Sequence, residues 1–307
     1  MLERLSALAI GKQAAIGTPA VTPDAWLRVT SRSKIYRDPV FADAMASIAS
    51  LDGAPHVTTR FTVKGSANFE CDLVTLKLVM EHMMGAAAVA NIVTPTQAVW
   101  SAGTVGLGNM AVLQPLTIWS LFAGDFERVT DCQITKFNAK YDPRGLVTGT
   151  IEFMGLESAP YAAPVLVPAI PTVFFFQPHV TLARAGAAFV VDQIDLNIEV
   201  MVDYYEGANG SLNFPGFKFG GGDSPKRKLS LDMKLVQTDQ VSKPVFEAAG
   251  LTAFVLSFVN GANVIRWNIP AGQYTSRDLD GAIRETKLAV IARRDAVSGN
   301  FATISYV

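Results

Sequence analysis

The residues that most often carry chemistry are few in this chain and stand far apart. Its three histidines, His56, His82 and His179, have no partners at metal-ligand spacing. Glu81-His82 could open a zinc-protease helix, but no second histidine follows one turn later. We therefore predict no metal site and interpret each histidine as a surface or helix-capping residue.

A glycine-rich stretch with Gly103, Gly106 and Gly108 could suggest a loop that cradles phosphate. It lacks the Gly-Lys-Ser/Thr ending of a nucleotide-binding loop, and its glycines do not have dinucleotide-binding spacing. The chain also contains no Gly-x-Ser-x-Gly segment, which marks the nucleophile of many hydrolases. We interpret the stretch as a flexible loop.

Two clusters of charge remain. Lys226-Arg227-Lys228 is the only compact basic run. It could contact phosphate, but a solvated strand edge that carries lysine against aggregation is the better interpretation. Asp192, Asp195 and Glu199 alternate with apolar residues, which is typical of a polar sheet face and not of a metal cluster. We predict no catalytic, cofactor-binding or metal-binding residue, and a protein that is not an enzyme.

The composition favours a protein that covers part of its surface with copies of itself. Its 26 basic and 27 acidic residues give a net charge of −1, so no general attraction to nucleic acid or anionic membrane is expected. Charged residues make up 17% of the chain, against about 25% in typical domains. Self-association would explain this shortage of surface charge. A large core with an ordinary polar shell is the alternative.

Other compositional features concern location. No segment approaches the roughly 18 apolar residues that a membrane helix needs, and Glu3 with a short apolar run does not fit a signal peptide. We therefore expect synthesis in the cytoplasm and no membrane partner. Cys71 and Cys132 are expected to be reduced thiols in the core.

Regular patterns predict strands with a single helix in the first half. Strict alternation over Val57–Cys71 predicts a half-buried strand. Asp72 can cap the helix that follows, which Gly85 would end. Residues 131–156 read as a β-hairpin, because Asp142-Pro143-Arg144-Gly145 has the signature of a type I turn.

Two segments depart from these patterns. A strand is predicted over Trp26–Tyr36, after which Asp38–His56 is interpreted as a long excursion from the domain body. A glycine- and aromatic-rich excursion over Tyr204–Pro225 occupies the same place in the second half.

The second half repeats the order of the first: strand, excursion, strand, helix, strands and closing hairpin. Four prolines predict a semi-rigid linker at 157–172, which separates domains at 1–156 and 173–307. The repeated elements are strands over 194–200 and 229–235, a helix over 242–249, a hairpin turn at Asn260-Gly261 and a closing hairpin over 285–307. The predicted fold is mainly β, with two tandem β-sandwich domains that each carry a flanking helix and a long excursion loop.

Three segments carry a resemblance to a known family: GKQAAIGTPA, FTVKGSANFECDLVTLKLVMEHMMG and CQITKFNAKYDPRGLVTGTIEFMGL. They resemble the opening, the strand with its helix, and the closing strand pair of tail tube (major tail) proteins of long-tailed bacteriophages. The resemblance covers most of residues 1–157 and, by pattern only, residues 189–307.

The resemblance implies that the two domains are tail-tube-like sandwiches whose sheets join between subunits into a β-barrel. Rings of six tube domains would then form from three chains with pseudo-sixfold symmetry, or from six chains, and would stack into the phage tail. The implied partners are further copies of the chain, a tape-measure protein and other tail proteins. Phage DNA would pass through the tube without specific binding. The implied location is the virion tail, after synthesis in the host cytoplasm.

The two excursions would be arms that reach an adjacent ring or subunit. Their apolar side chains would then anchor an assembly interface: Phe41, Met45, Ile48, Leu51, Phe214 and Phe217. The alternative is that both loops fold back on their own domain.

Two other function classes are open. One is a virion protein that forms a single ring, such as a tail terminator or neck protein. The other is a carbohydrate-binding β-sandwich or hydrolase, which would need a concave cluster of exposed aromatic rings and, for hydrolysis, paired carboxylates. The four tryptophans, Trp26, Trp100, Trp119 and Trp267, are dispersed, and three of them have strand-like surroundings in the sequence.

Overall fold

A computed structural model describes residues 7–30, 34–43, 56–84, 96–101, 115–122, 125–143, 145–162, 173–176, 178–207, 211–219, 227–235, 241–280, 285–297 and 300–306. The first half contains nine strands and one helix among these residues: β1 (Ala7–Lys12), β2 (Ala25–Leu27), β3 (Lys34–Asp43), β4 (His56–Glu70), α1 (Leu73–Met84), β5 (Thr96–Ser101), β6 (Leu116–Phe122), β7 (Asp125–Tyr141), β8 (Thr148–Gly155) and β9 (Glu157–Pro160).

The second half contains ten strands and one helix in its described part: β10 (Val180–Arg184), β11 (Ala187–Ala188), β12 (Gln193–Val200), β13 (Val202–Tyr204), β14 (Phe217–Phe219), β15 (Arg227–Leu235), α2 (Ser242–Glu247), β16 (Leu251–Asn260), β17 (Asn263–Asp280), β18 (Glu285–Ala292) and β19 (Asn300–Tyr306). The protein is mainly β, as predicted.

The pairing of strands is the same in both halves. In the first half β1 pairs with β2 and β6, β6 with β7, β7 with β8 and β9, β8 with β4, and β4 with β3. In the second half β10 pairs with β11 and β16, β16 with β17, β17 with β18 and β19, β18 with β15, and β15 with β12. Every pair is antiparallel. The predicted tandem repeat is therefore present in the topology of two β-sandwiches.

The long strands β7 and β17 belong to both layers of their sandwiches, because each bends at a bulge. The ladder shifts register between Ile134 and Lys136 in β7 and between Tyr274 and Ser276 in β17. The threonine at each bulge, Thr135 or Thr275, donates a hydrogen bond to a carbonyl oxygen of the adjacent strand. A bulge bends its strand and increases the local twist, which lets one strand serve two sheets.

The two halves are joined by a ladder between β7 and β12, in which Lys136–Tyr141 run antiparallel to Ile194–Glu199. We call this ladder the internal joint. It creates one sheet with the strand order β3-β4-β8-β7-β12-β15-β18-β17, which we call the joined sheet. A second connection between the halves is the pairing of β5 with β19.

One face of the joined sheet is apolar because its residues alternate strictly. In β12, Ile194, Leu196 and Ile198 are buried, while the intervening polar residues are partly exposed. Helix α1 packs beneath the sheets, where the indole Nε1–H of Trp267 donates to the sulfur of Met80 at 3.4 Å. A single apolar core therefore continues through both halves.

Several predicted local features are confirmed. The amide of Gly145 donates to the carbonyl oxygen of Asp142 at 3.2 Å, which closes the predicted turn. The Asp72 carboxylate accepts hydrogen bonds from the amide and hydroxyl of Thr75, so it caps α1. Gly261 has the left-handed φ of +61° expected of the Asn260-Gly261 hairpin.

Other boundaries are corrected. The predicted strand over 26–36 is divided, since β2 ends at Leu27 and β3 begins at Lys34. Both ends of the first excursion are strand, because β3 continues to Asp43 and pairs with β4 from His56 onwards. The first four residues of the predicted linker at 157–172 form β9, and its residues 163–172 lie outside the described part, so the domain boundary itself stays a prediction.

The closing hairpin of the second half is wrongly placed in the prediction. Strands β18 and β19, which cover most of residues 285–307, each pair with β17 and have no described ladder between them. The counterpart of the β7–β8 hairpin is instead β17–β18. Gly85 and the glycine-rich stretch at 103–108 lie outside the described residues.

Candidate assembly surface

The second excursion lies against the first half of the same chain. Its β13–β14 ladder is short, and the segment between these strands meets β4, where the Phe61 amide donates to the carbonyl oxygen of Leu212 at 2.9 Å. The Arg60 guanidinium donates to the carbonyl oxygens of Ser211 and Asn213 at 2.7 and 2.8 Å and to that of Gly207 at 2.7 Å. One side chain thus binds three backbone groups of the excursion.

A small aromatic cluster secures this contact, and it is separate from the main core. The Tyr204 ring stacks on Phe214 with centroids 4.4 Å apart and lies 5.5 Å from Phe217. All three rings are buried, and the same cluster contains Met154 and Leu156 of the first half. Aromatic pairs of this kind are worth about 0.5–1.5 kcal/mol beyond the area that they bury.

The Tyr204 hydroxyl adds a directional connection. It donates to the carbonyl oxygen of Val63 at 2.6 Å and accepts from the Val63 amide at 2.8 Å. Burial raises the pKa of Tyr204 above its usual value of 10.0. The phenol is therefore neutral and available as both donor and acceptor at all ordinary pH values.

The sequence-predicted anchor residues have different positions. Phe214 and Phe217 lie at the contact between the two halves of one chain. The backbone of Phe41 is in β3, while Met45, Ile48 and Leu51 lie outside the described residues. A role for any of the six at an interface between chains stays a prediction.

The β3–β4 hairpin, which we call the arm, is exposed along β3. Tyr36 is 49% exposed and Val40 is 38% exposed. The Arg37 guanidinium lies over the Phe61 ring at 4.2 Å, a cation–π contact that ties the hairpin strands together.

The joined sheet has an open edge on each side within the described residues. At one edge, β3 pairs with β4 and with no other described strand. At the other edge, residues 276–280 of β17 pair with β18 on one side and with no described strand on the other. Unpaired backbone groups along a strand are a template for pairing with another chain.

The solvent side of the joined sheet carries polar side chains of both signs. At the internal joint, the Asn138 amide donates to the Asn197 side-chain oxygen at 2.7 Å. The Lys136 ammonium lies 3.8 Å from Glu199 and 4.0 Å from Glu152. Burial raises the pKa of the Asp195 carboxyl, which the nearby Lys140 charge opposes.

A polar cluster also connects the two ends of the chain. The Glu81 carboxylate in α1 accepts hydrogen bonds from the Lys12 ammonium in β1, at 2.6 Å, and from the Tyr306 hydroxyl in β19. Burial alone would raise the pKa of Glu81, but these hydrogen bonds and the charges of Lys12 and Lys77 outweigh it and lower the pKa.

Pattern analysis missed Tyr204, Arg60 and Glu81. Tyr204 lies in a segment without regular pattern, and Arg60 stands at an ordinary polar position of an alternating strand. Their partners are distant in sequence: Val63 lies 141 residues from Tyr204. No local signal marks such contacts.

Within the described part of the chain, the residues considered for catalysis and metal binding are not brought together. No group of three or more histidines, cysteines or acidic residues with the placement of a metal site occurs among the described residues. His82 is not a surface or capping residue, because it is buried and its Nε2 accepts a hydrogen bond from the Ile134 amide at 3.1 Å. Burial raises the pKa of both thiols, Cys71 and Cys132.

The remaining candidate features lie in ordinary structural positions. Arg227 and Lys228 open β15, and burial lowers the pKa of Arg227 to about 10. Trp119 and Trp267 are buried, so they are unavailable for a carbohydrate platform. Neither helix in the described part has the length or apolar surface that a membrane span requires.

Comparison with known proteins agrees with the mainly β fold. The family model for phage tail tube proteins matches residues 3–265. This range includes β7 and β12, the two strands of the internal joint. No individual curated protein matches the chain. Because the family model covers most of the sequence, the chain belongs to the phage tail tube protein family, and it is a structural component of the virion tail.

Proposed function

We propose that this chain closes into rings and that the rings stack into the tube through which phage DNA leaves the virion. The observation that carries the proposal is the joined sheet, which already links two sandwiches and keeps an open edge on each side. Closing the sheet between chains would remove both edges, as barrels do. Three chains would supply six sandwiches with pseudo-sixfold symmetry, and six chains are the alternative.

The polar side of the joined sheet would face the channel, because the other side is occupied by the core. Lysines and carboxylates are interspersed there, as in the contacts of Lys136 with Glu152 and Glu199. Such a wall has no single-sign field that would hold a polyanion. DNA would therefore pass through without specific binding.

The arm and the second excursion would make contacts beyond their own sandwich. The second excursion supports this reading, since Phe214 and Phe217 contact the neighbouring half and not only their own. By the same logic the arm, with Phe41 and with Met45, Ile48 and Leu51 beyond it, would contact the next chain or the next ring. A tape-measure protein and other tail proteins complete the proposed set of partners, and synthesis would take place in the host cytoplasm. No enzymatic step is part of the proposal.

Negative-stain electron microscopy of the purified chain at high concentration tests the proposal. We expect hollow tubes with a regular axial repeat and end views that count three or six chains. Closed rings that never stack would favour a tail terminator or neck protein. A chain that remains monomeric in all conditions, including with a tape-measure protein present, would contradict the proposal and reopen the carbohydrate-binding alternative.

A further inference from the structure

The repeat predicts a second strand pairing equivalent to the internal joint, and this pairing is not formed within the described part of the chain. Because the two halves share one pairing pattern, β12 corresponds to β3 and β17 corresponds to β7. The internal joint is the pairing of β7 with β12. Its counterpart would be a pairing of β17 with β3, and both strands lie at the open edges of the joined sheet.

The register of this pairing can be obtained by following residues across the sheet. In the first half, one row of directly paired residues runs Gln133, Met154, Lys64 and Tyr36. In the second half, the equivalent row runs Gln273, Ile291, Ser230 and Asn197. Tyr36 therefore occupies the position of Asn197.

The long strands can be aligned in the same way. Gln133 corresponds to Gln273, and the bulges that follow correspond because Thr135 and Thr275 make the same hydrogen bond. Since Asn138 and residue 278 are equally distant from these glutamines, Asp278 corresponds to Asn138. Asn138 pairs with Asn197 in the internal joint.

We infer that β17 of one chain pairs antiparallel with β3 of the next, with Asp278 directly opposite Tyr36. The inference deepens the proposed function and depends on it. The full register is Lys34 with Asp280, Ile35 with Leu279, Tyr36 with Asp278, Arg37 with Arg277 and Asp38 with Ser276.

Several features agree with this register. Tyr36 and Asp278 are both exposed in the single chain. In the internal joint, Asp195 pairs with Lys140, which has the opposite charge. The equivalent pair in the inferred register, Lys34 with Asp280, also has opposite charges, with the signs exchanged. The pairing ends at Asp38, and the next residue, Pro39, has no amide hydrogen for a further ladder bond.

One feature opposes it. Arg37 and Arg277 would stand opposite each other, and like charges in this position are destabilising. Each guanidinium already has a contact within its own chain, Arg37 over the Phe61 ring and Arg277 with the Ser242 hydroxyl at 3.2 Å. These contacts can hold the two charges apart while the backbones pair.

Cysteine cross-linking tests the register, because directly opposite residues of an antiparallel pair lie within disulfide reach. We expect mild oxidation of assembled Tyr36→Cys/Asp278→Cys protein to give covalent oligomers. The largest of them should contain as many chains as one ring. Mixing separately tagged chains, one with Tyr36→Cys and one with Asp278→Cys, should give a dimer that contains both tags. The native cysteines are buried, so they do not interfere.

Two matched variants make the result decisive. Asn138→Cys/Asn197→Cys should oxidise within one chain, which shows that the conditions are adequate at the internal joint. Arg37→Cys/Asp278→Cys shifts one partner to the opposite face of its strand, so we expect a loss of cross-linking there. Equal cross-linking of this shifted pair and the 36–278 pair would overturn the register.

The same samples separate the inference from the proposed function. Rings or tubes in the micrographs without a 36–278 cross-link would overturn this joint and leave tube formation intact. The absence of rings, tubes and cross-links, with the internal pair oxidised, would overturn both.

Discussion

Removing the hydroxyl of Tyr204 should weaken the contact between the second excursion and the arm at a measurable cost in stability. In Tyr204→Phe the ring remains on Phe214, but the Val63 amide and carbonyl both lose their contact with the hydroxyl. A buried group left without a hydrogen bond costs about 1–3 kcal/mol. For two such groups on one residue we expect roughly 2–4 kcal/mol, with the range limited by partial relaxation.

The neighbouring tyrosine provides the control. Tyr205 is 54% exposed, so Tyr205→Phe removes the same atom from a ring in contact with water. Hydrogen exchange of the Val63 amide in unassembled protein measures the local effect directly, and urea unfolding measures the effect on the chain. We expect faster Val63 exchange and an earlier unfolding transition in Tyr204→Phe only. Equal behaviour of the two variants would refute the reasoning.

The pH dependence has a defined sign. The folded-state pKa of Tyr204 is raised above 10.0 by burial. The contribution of Tyr204 to the free energy of unfolding is therefore fully present below the pKa of the unfolded state. It is lost as pH rises above that pKa. Tyr204→Phe should have a flatter loss of stability above pH 10 than the unmodified chain.

Five further variants test other contacts. Glu81→Gln should lower the free energy of unfolding at neutral pH by about 1–2 kcal/mol, as expected for a partly exposed charge-assisted hydrogen bond. Because the pKa of Glu81 is lowered in the folded chain, the difference between the variant and the unmodified chain should shrink as pH falls below 4.5. Urea unfolding at a series of pH values measures this difference. Gly65→Ala would place its Cβ 2.2 Å from the Phe153 ring, so we expect a loss of about 1–3 kcal/mol in urea unfolding, whereas Gly145→Ala meets nothing within 4 Å and should be nearly neutral. Asp72→Ala should lower the free energy of unfolding by about 1 kcal/mol through loss of the α1 cap. Asp72→Asn retains a hydrogen-bond acceptor and should keep most of the stability that the cap supplies. Equal thermal denaturation midpoints for the two variants would contradict the capping role.

The sequence was a good guide where a local pattern determines structure. Alternation over Val57–Cys71 predicted β4, and every second residue from Val63 to Cys71 is buried. Asp142 to Gly145 predicted a turn because its geometry depends on those residues alone. Tandem repetition could be predicted because each half contains the same order of such patterns.

Contacts between distant segments could not be predicted in this way. The segment Asp38–His56 lacks a clean strand pattern and contains Pro39, Gly53 and Pro55, which favours an excursion, although β4 supplies a partner strand for its first residues. Arg60 and Tyr204 gain their roles from three-dimensional proximity, which a single sequence does not encode locally. The C-terminal hairpin was misplaced because β18 and β19 are adjacent in sequence but both pair with β17.

The internal joint also has a kinetic consequence. Because β7 and β12 belong to one polypeptide, this joint forms in a concentration-independent step that costs loop-closure entropy and not the entropy of bringing two molecules together. In a ring of three chains, half of the six joints would be complete before any encounter. A ring would then form from three molecules and not from six, so the rate of nucleation would depend less steeply on protein concentration. Rings could therefore begin to form early in infection, while the chain is still scarce.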